Sequence, residues 1–240
     1  MNKKQTKILL LLITIIIGVV IISGCVNNEE NKIGEEGMNE TNDYYPLEVG
    51  NQWVFAVKKE TEGENPQNSI TTVQITKKEM INNIETFVIE YETDNNTSQI
   101  EYVNKEYGKI LCCRRISQGK EQNYYPLQLW ADFSSLKKGK KWKWADNTIN
   151  VELEGEILGK DVITVPAGTF ETYIVKITTS PKDNVRGIAN VKWMGWFAKN
   201  IGVVKEDAHI YANVSINNNK RLIVNTHIIA ELKSYNISKK

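Results

Sequence analysis

The chain has few of the side chains on which most catalytic and metal sites depend. Its 240 residues include three cysteines and two histidines. Cys112 and Cys113 are adjacent, and neighbouring strand residues point to opposite faces of a sheet, so a disulfide between them would need a strained backbone. One inward and one outward thiol are expected instead. With Cys25 the only other cysteine, the sequence excludes a disulfide framework and a cysteine-based zinc site.

Recognisable catalytic motifs are also missing. His209 and His227 do not occur in a metal-binding spacing such as H-x-x-x-H. His209 shares a strand face with polar residues, so its side chain is expected to be exposed. There is no G-x-S-x-G elbow, Walker loop, dinucleotide-binding glycine loop or calcium loop. The sequence therefore predicts no catalytic residue, metal site or cofactor, and a hydrolase is the least favoured interpretation.

An excess of charge of one sign is absent as well. The formal net charge is +1, from 30 basic and 29 acidic residues. A protein that binds nucleic acid usually carries a strongly basic face. The balance therefore argues against nucleic acid as a partner.

Long apolar runs are confined to the first 25 residues. Three lysines near the start precede an apolar run from Ile8 to Ile22, which is interrupted only by Thr14 and Gly18. A charged start, an apolar centre and small residues at the boundary are typical of an export signal. The run has 15 residues, whereas a membrane-spanning helix needs about 20.

The boundary itself resembles the lipobox of exported lipoproteins, in the four residues Ile22-Ser23-Gly24-Cys25. In that class the cysteine receives a diacylglyceryl thioether and becomes the new N-terminus after cleavage. The resemblance implies lipid attachment at Cys25, with the protein held at the cell membrane and facing outside the cytoplasm. The alternative is an uncleaved membrane anchor. Both interpretations place the rest of the chain outside the cytoplasm.

Composition then divides the chain into four segments. Residues 1–24 are the predicted lipoprotein signal peptide, and residues 25–43 comprise the lipidated cysteine and a flexible tether. The tether carries six acidic residues, one lysine and few large apolar side chains, so it cannot bury enough surface to fold. Residues 44–236 are the predicted β domain, and residues 237–240 are a C-terminal tail.

The predicted domain shows the alternation of β-strands. Its clearest segment places Val151, Leu153 and Ile157 on one face and a row of glutamates on the other. This pattern predicts an antiparallel sheet with one solvated face. About ten to twelve strands are expected, in a curved multi-stranded sheet, half-barrel or sandwich. One short helix is predicted near Leu129–Leu136.

Tryptophans mark the candidate binding surface. Trp142 and Trp144 share one strand face and alternate with lysines, while Met194 and Trp196 lie opposite other apolar residues on a second strand. That second strand is apolar on both faces, so either another element covers it or a surface is left for a ligand or partner. These four residues are the predicted ligand or partner surface.

The sequence also holds five candidate glycosylation sites. Each is an asparagine that begins an N-x-S/T sequon, at Asn39, Asn95, Asn96, Asn213 and Asn236. In a chain this rich in asparagine, chance accounts for most such sequons.

Three short blocks together resemble a family of exported domains, the TapB-like family. They are Tyr45–Trp53 (YPLEVGNQW), Val165–Phe170 (VPAGTF) and Trp196–Lys205 (WFAKNIGVVK), with Glu231–Tyr235 (ELKSY) closing the segment. The resemblance implies an envelope-located, mostly antiparallel β domain, often lipid-anchored, without catalytic residues. The predicted function is a non-catalytic binding module for an unknown envelope protein or apolar ligand. A carrier of lipid inside a curved sheet is the alternative.

Overall fold

The computed structural model describes residues 43–146, 151–181, 189–217 and 220–238. They form twelve β-strands, in agreement with the predicted number. The strands are β1 (Gln52–Thr61), β2 (Gln67–Ile81), β3 (Ile84–Thr93), β4 (Asn96–Glu106), β5 (Lys109–Ser117), β6 (Lys120–Asp132), β7 (Lys141–Asp146), β8 (Val151–Val165), β9 (Gly168–Pro181), β10 (Ala189–Ala198), β11 (Gly202–Asn217) and β12 (Lys220–Asn236).

All twelve strands belong to one antiparallel sheet. Its spatial order is β6-β5-β4-β3-β2-β1-β12-β11-β10-β9-β8-β7. The first and last strands pair with each other in the middle, so β6 and β7 form the two edges. These edge strands contact each other without a ladder of hydrogen bonds between them. The predicted all-β, curved antiparallel sheet is therefore confirmed, and it is a single sheet that is not closed into a barrel.

The predicted alternation gives this sheet its two faces. Val151, Leu153 and Ile157 are buried, with the last two fully inaccessible. The glutamates between them are partly exposed, and Glu154 pairs with Lys141 at 2.8 Å across the β7–β8 ladder. Leu153 and Ile157 belong to one large core cluster. The face that carries this cluster is here called the inner face, and the opposite one the outer face.

The predicted helix near Leu129–Leu136 is wrong. Strand β6 continues to Asp132 and pairs with β5, with Leu129 opposite Leu111. Leu129, Trp130 and Ala131 are all buried in the main core. Pairing and burial therefore hold this segment extended, although its apolar spacing was compatible with a helical turn. Among the described residues, no helix is long and apolar enough to cross a membrane.

Residues 43–47 pack across one end of the sheet, where the chain enters the domain. The Tyr44 ring makes an edge contact with Tyr173 on β9, with 5.3 Å between the ring centroids. Asp43 forms an ion pair with Lys105 on β4 and donates its N–H to the Asn200 side chain at 3.2 Å. These contacts fix the first described residues to three parts of the sheet. This end is here called the tether end.

The three sequence blocks that resemble the exported family meet at this tether end. The Trp53 indole donates to the Ile201 carbonyl at 2.6 Å. Gly202 has a positive φ of 94°, and a side-chain carbon there would lie 3.4 Å from Pro46. Ala167 donates its N–H to the Leu232 carbonyl at 2.9 Å, which joins the β8–β9 turn to β12. The blocks therefore have a structural role, because they close one end of the core.

The adjacent cysteines lie on opposite faces, as predicted, and both are buried free thiols. Cys113 packs in a small second cluster with Ile81, Val88 and Tyr102. Burial raises the pKa of Cys113 to about 11 and raises the pKa of Cys112 further. Because the thiolate is the reactive form, both side chains are inert at neutral pH.

Candidate ligand-binding face

A buried ion pair lies on the inner face of the sheet. Glu101 on β4 and Arg115 on β5 are cross-strand partners, and their closest N–O distance is 2.8 Å. Their side chains are only 1% and 5% exposed. Glu101 also accepts hydrogen bonds from Tyr91 at 2.9 Å and from Gln99 at 2.9 Å. A buried charge needs such partners, and this carboxylate has them.

A second carboxylate lies on the same inner face. Glu206 on β11 is opposite Gly195 in the β10–β11 ladder, and the Trp193 indole donates to it at 3.4 Å. Burial raises the pKa of Glu206 to about 7, the nearby charge of Glu101 adds to the rise, and the Trp193 hydrogen bond opposes it. Near neutral pH this carboxyl is therefore divided between its two protonation states, so it can donate or accept a hydrogen bond.

Two tyrosines lie between these carboxyl groups. Burial raises the pKa values of Tyr45 and Tyr91 well above the usual range, and the charges of Glu101 and Glu206 contribute to both shifts. Tyr45 also makes an edge contact with Trp130 on β6, with 4.9 Å between ring centroids. Tyr45, Tyr91 and Glu206 each keep partial solvent exposure. The core therefore encloses these three residues only in part.

Three indole rings on the two edge strands have a different environment. Trp130 lies on β6, and Trp142 and Trp144 lie on β7; their exposed fractions are 5%, 6% and 4%. None of the three Nε1–H groups has a hydrogen-bond partner among the described residues. The place where β6 and β7 meet is here called the seam, and these three residues are called the seam indoles. Three buried donors of this kind are unusual, because each unpaired polar group costs free energy.

The fit of Trp142 to its neighbours shows how tightly this region is built. Its ring lies against Gly155 on β8, and a side-chain carbon at Gly155 would lie 2.0 Å from Trp142 Cε2. Trp193 lies over Gly195 in the same way, with a distance of 2.3 Å from its Cη2 atom. Glycine is therefore required at both positions for the indoles to lie flat on the sheet.

The four residues of the predicted ligand surface do not form one surface. Trp142 and Trp144 share a face, as expected, but it is the inner face, where both are buried. Met194 and Trp196 lie on the outer face and are half-buried. Trp196 donates to Asp161 at 3.2 Å, and the Lys205 ammonium lies 5.9 Å from its ring centroid. Side chains of neighbouring strands, rather than a helix or loop, thus cover this tryptophan.

The other predicted site residues are dispersed. Cys25 and Asn39 lie outside the described residues. Asn95 and Asn96 are exposed at the β3–β4 turn, and Asn236 is exposed at the end of β12. Asn213 lies within β11, at a position whose side chain is not described. Glycosylation at these sequons stays a prediction.

The two histidines are brought together on the outer face, which the spacing rules did not anticipate. His209 on β11 is opposite His227 on β12, and their rings stack with 4.0 Å between centroids. Asp207 Oδ1 lies 3.4 Å from His209 Nε2 and 3.1 Å from His227 Nε2. His209 is exposed, as predicted. Of the described residues, these three are the ones whose ligand atoms lie close enough together to hold a metal ion.

A signal for this pair was present in the sequence. Positions 209 and 227 are equally distant from the Asn217-Asn218-Asn219 turn signal. A hairpin centred there places the two histidines opposite each other, on one face. Spacing rules for a single helix or strand do not detect a pair formed by two strands.

Comparison with known proteins finds a family match. The model of a family described as DUF3108-like matches residues 132–220. That segment runs from the end of β6 to the start of β12 and includes Trp142, Trp144, Trp193 and Glu206. It covers less than half of the chain. A search of curated proteins finds no match.

Two crystal structures show a low overall similarity to this chain. One is a "putative lipoprotein" from Parabacteroides distasonis, with 18% identity, a TM-score of 0.42, and coverage of 82% of this chain and 100% of that chain. The other is a "putative exported protein with YmcC-like fold" from Bacteroides fragilis, with 15% identity, a TM-score of 0.42, and coverage of 81% and 99%. Both TM-scores are too low to establish a shared fold.

Proposed function

We propose that the protein is an extracytoplasmic lipoprotein, anchored to the cell membrane through Cys25, whose β domain binds an amphiphilic envelope ligand on its inner face at the seam. The export signal and the lipobox-like sequence before Cys25 support the anchor. The observation that supports the binding site is the set of three buried indole donors at the open edge of the sheet, none of which has a partner within the part of the chain that the structure describes.

The chemistry of the inner face indicates the class of ligand. An indole Nε1–H is a donor only, so each seam indole requires an oxygen or nitrogen acceptor. The surrounding core is apolar, and it includes Leu153, Ile157 and Ile177. Ligand-binding sites are in general lined mostly by apolar side chains, with a few polar groups that fix the orientation of the ligand. An acyl lipid meets both requirements, because its chain is apolar and its ester or carboxyl oxygens accept hydrogen bonds.

The path of the chain is compatible with a ligand taken from the membrane. As the flexible tether that the sequence predicts, residues 25–43 would reach on the order of 25 Å. The described chain starts at the tether end, where Asp43 is fixed to Lys105. The domain would thus lie close to the lipid surface, with the tether end as its point of attachment.

The position of the histidines supports a non-catalytic domain. Both imidazoles make their polar contacts with Asp207 on the outer face, away from the seam indoles and from Glu206. Within the described chain, no serine, threonine or cysteine donates a hydrogen bond to either ring. A nucleophile activated by a histidine would require that contact.

For the anchor, Cys25→Ala should abolish lipid labelling and leave unprocessed precursor in the membrane fraction. Serine at position 23 provides the control, because Ser23→Ala keeps a small residue at the boundary and should leave labelling intact. The measurement is metabolic labelling with a palmitate analogue, followed by electrophoresis. If Cys25→Ala is processed and labelled as the parent is, the lipoprotein interpretation is wrong.

For the ligand, native mass spectrometry of the full-length protein, extracted gently from its own membrane, should show a bound amphiphile. We expect a species heavier than the lipidated chain by the mass of one lipid, and its loss on organic extraction. Spectra that remain free of adducts, together with no binding of added acyl lipid, would contradict the proposed function.

A further inference from the structure

We propose that Asp207, His209 and His227 form a binding site for one divalent ion of the nickel, copper and zinc group on the outer face. The three residues come from two neighbouring strands, β11 and β12, and the pairing of His209 with His227 brings the rings together. Asp207 lies two residues before His209, on the same face. This site is separate from the proposed ligand on the inner face.

The distances agree with tetrahedral coordination. Two ligand atoms on a tetrahedral zinc ion with bonds of about 2.05 Å lie about 3.3 Å apart. Asp207 Oδ1 lies 3.1 Å from His227 Nε2 and 3.4 Å from His209 Nε2. All three ligand atoms lie within 4.8 Å of one another. The carboxylate already holds the spacing that it would need, and His227 Nε2 is in hydrogen-bond geometry with it.

The stacked rings define the movement that binding requires. Their planes are 10° from parallel, whereas an ion must lie close to the plane of each imidazole that binds it. Each ring therefore has to tilt towards Asp207. His209 is 55% exposed and His227 is 29% exposed, so both have room to rotate. The site is open to solvent, and three protein ligands leave at least one position for water or for a donor from another molecule.

The surroundings of the site are mixed in charge. Lys192 is opposite His209 in the β10–β11 ladder, and Glu60 is opposite His227 in the β1–β12 ladder. Glu60 forms an ion pair with Lys58 at 2.7 Å. Two imidazoles and one carboxylate favour borderline metal ions over calcium or magnesium, which prefer ligand sets made of oxygen. Zinc and cobalt are therefore suitable probes.

The test is a titration of the full-length, metal-free protein in detergent, purified without a histidine tag. Calorimetry with Zn²⁺ should give one ion per chain, and Co²⁺ should give the absorption bands of a low-coordinate site. Loss of a residue that only orients a metal ligand commonly weakens metal binding 10–100-fold. Asp207→Asn and His209→Ala alter the ligands themselves, so each should weaken binding by at least ~10-fold. The double variant His209→Ala/His227→Ala should not bind at this site.

Glu152→Gln is the matched control, since it also removes one carboxylate from the outer face, but on β8 rather than at the proposed site on β11 and β12. It should bind one ion as the parent does. Circular dichroism should show that each variant keeps its β structure, which is expected because His209 is exposed. Equal Zn²⁺ affinity in the parent and the double variant would overturn the proposal, and so would a parent protein that does not bind.

Discussion

Replacing Arg115 with methionine should lower the free energy of unfolding by about 3–5 kcal/mol, because it leaves Glu101 as a buried carboxylate without its countercharge. The side chain of Glu101 is 1% exposed, so solvent cannot replace the guanidinium. Tyr91 and Gln99 would still donate hydrogen bonds, but they carry no positive charge. The effect is measured by urea denaturation of the full-length protein in detergent.

Arg114→Met is the matched control for this prediction. Arg114 is adjacent in sequence but lies near Glu121 at 3.5 Å, and the side chains are 27% and 47% exposed. An exposed pair of this kind contributes about 0–1 kcal/mol. A double variant with leucine at 101 and methionine at 115 should recover much of the loss, since buried ion pairs can often be replaced by apolar residues. Equal losses in the Arg115 and Arg114 variants would contradict the account.

Gly155→Ala should have the second largest effect, after Arg115→Met. It should lower the free energy of unfolding by about 1–3 kcal/mol through overpacking. The new methyl carbon would lie 2.0 Å from Trp142 Cε2 and 2.5 Å from its Nε1. The indole would have to leave its position on β8, which would also disturb the seam. We therefore expect weaker retention of the proposed ligand together with the loss of stability.

A double-mutant cycle isolates this contact. Phenylalanine at position 142 lacks the indole atoms that the methyl group would meet, so Gly155→Ala should cost less in a Trp142→Phe background than in the parent. Non-additivity of this kind is expected for residues in direct contact. An equal cost in both backgrounds, measured by denaturation, would show that the clash with Trp142 is not the cause.

The sequence predicted strands well because alternation is a local property. In β8, the buried positions Val151, Leu153 and Ile157 can be assigned from their neighbours alone. The arrangement of the strands could not be predicted in this way. It depends on the pairing of β1 with β12, in which Trp53 lies opposite Tyr235. That contact joins the two ends of the domain and leaves β6 and β7 as edges.

The candidate sites were predicted only in part. The sequence indicated that Trp142 and Trp144 share a face, but alternation does not predict that their indole N–H groups find no partner among residues 43–146, 151–181, 189–217 and 220–238. Glu206 gave no signal, because its raised pKa results from burial and from the nearby charge of Glu101. Glu101 is separated from Glu206 by 105 residues in sequence, and only the curvature of the whole sheet brings them close.

The central claim is that the seam indoles bind an amphiphile through their N–H groups. The most direct test compares Trp144→Phe with Trp53→Phe by native mass spectrometry of each full-length variant. Each substitution replaces an indole ring with a phenyl ring. Trp53 donates its N–H to Ile201 within the protein, whereas Trp144 has no partner among the described residues. We predict that Trp144→Phe loses bound lipid and that Trp53→Phe keeps it. The free energy of unfolding of Trp53→Phe should fall by about 1 kcal/mol, because its hydrogen bond to Ile201 is lost. Equal lipid retention in the two variants would contradict the account.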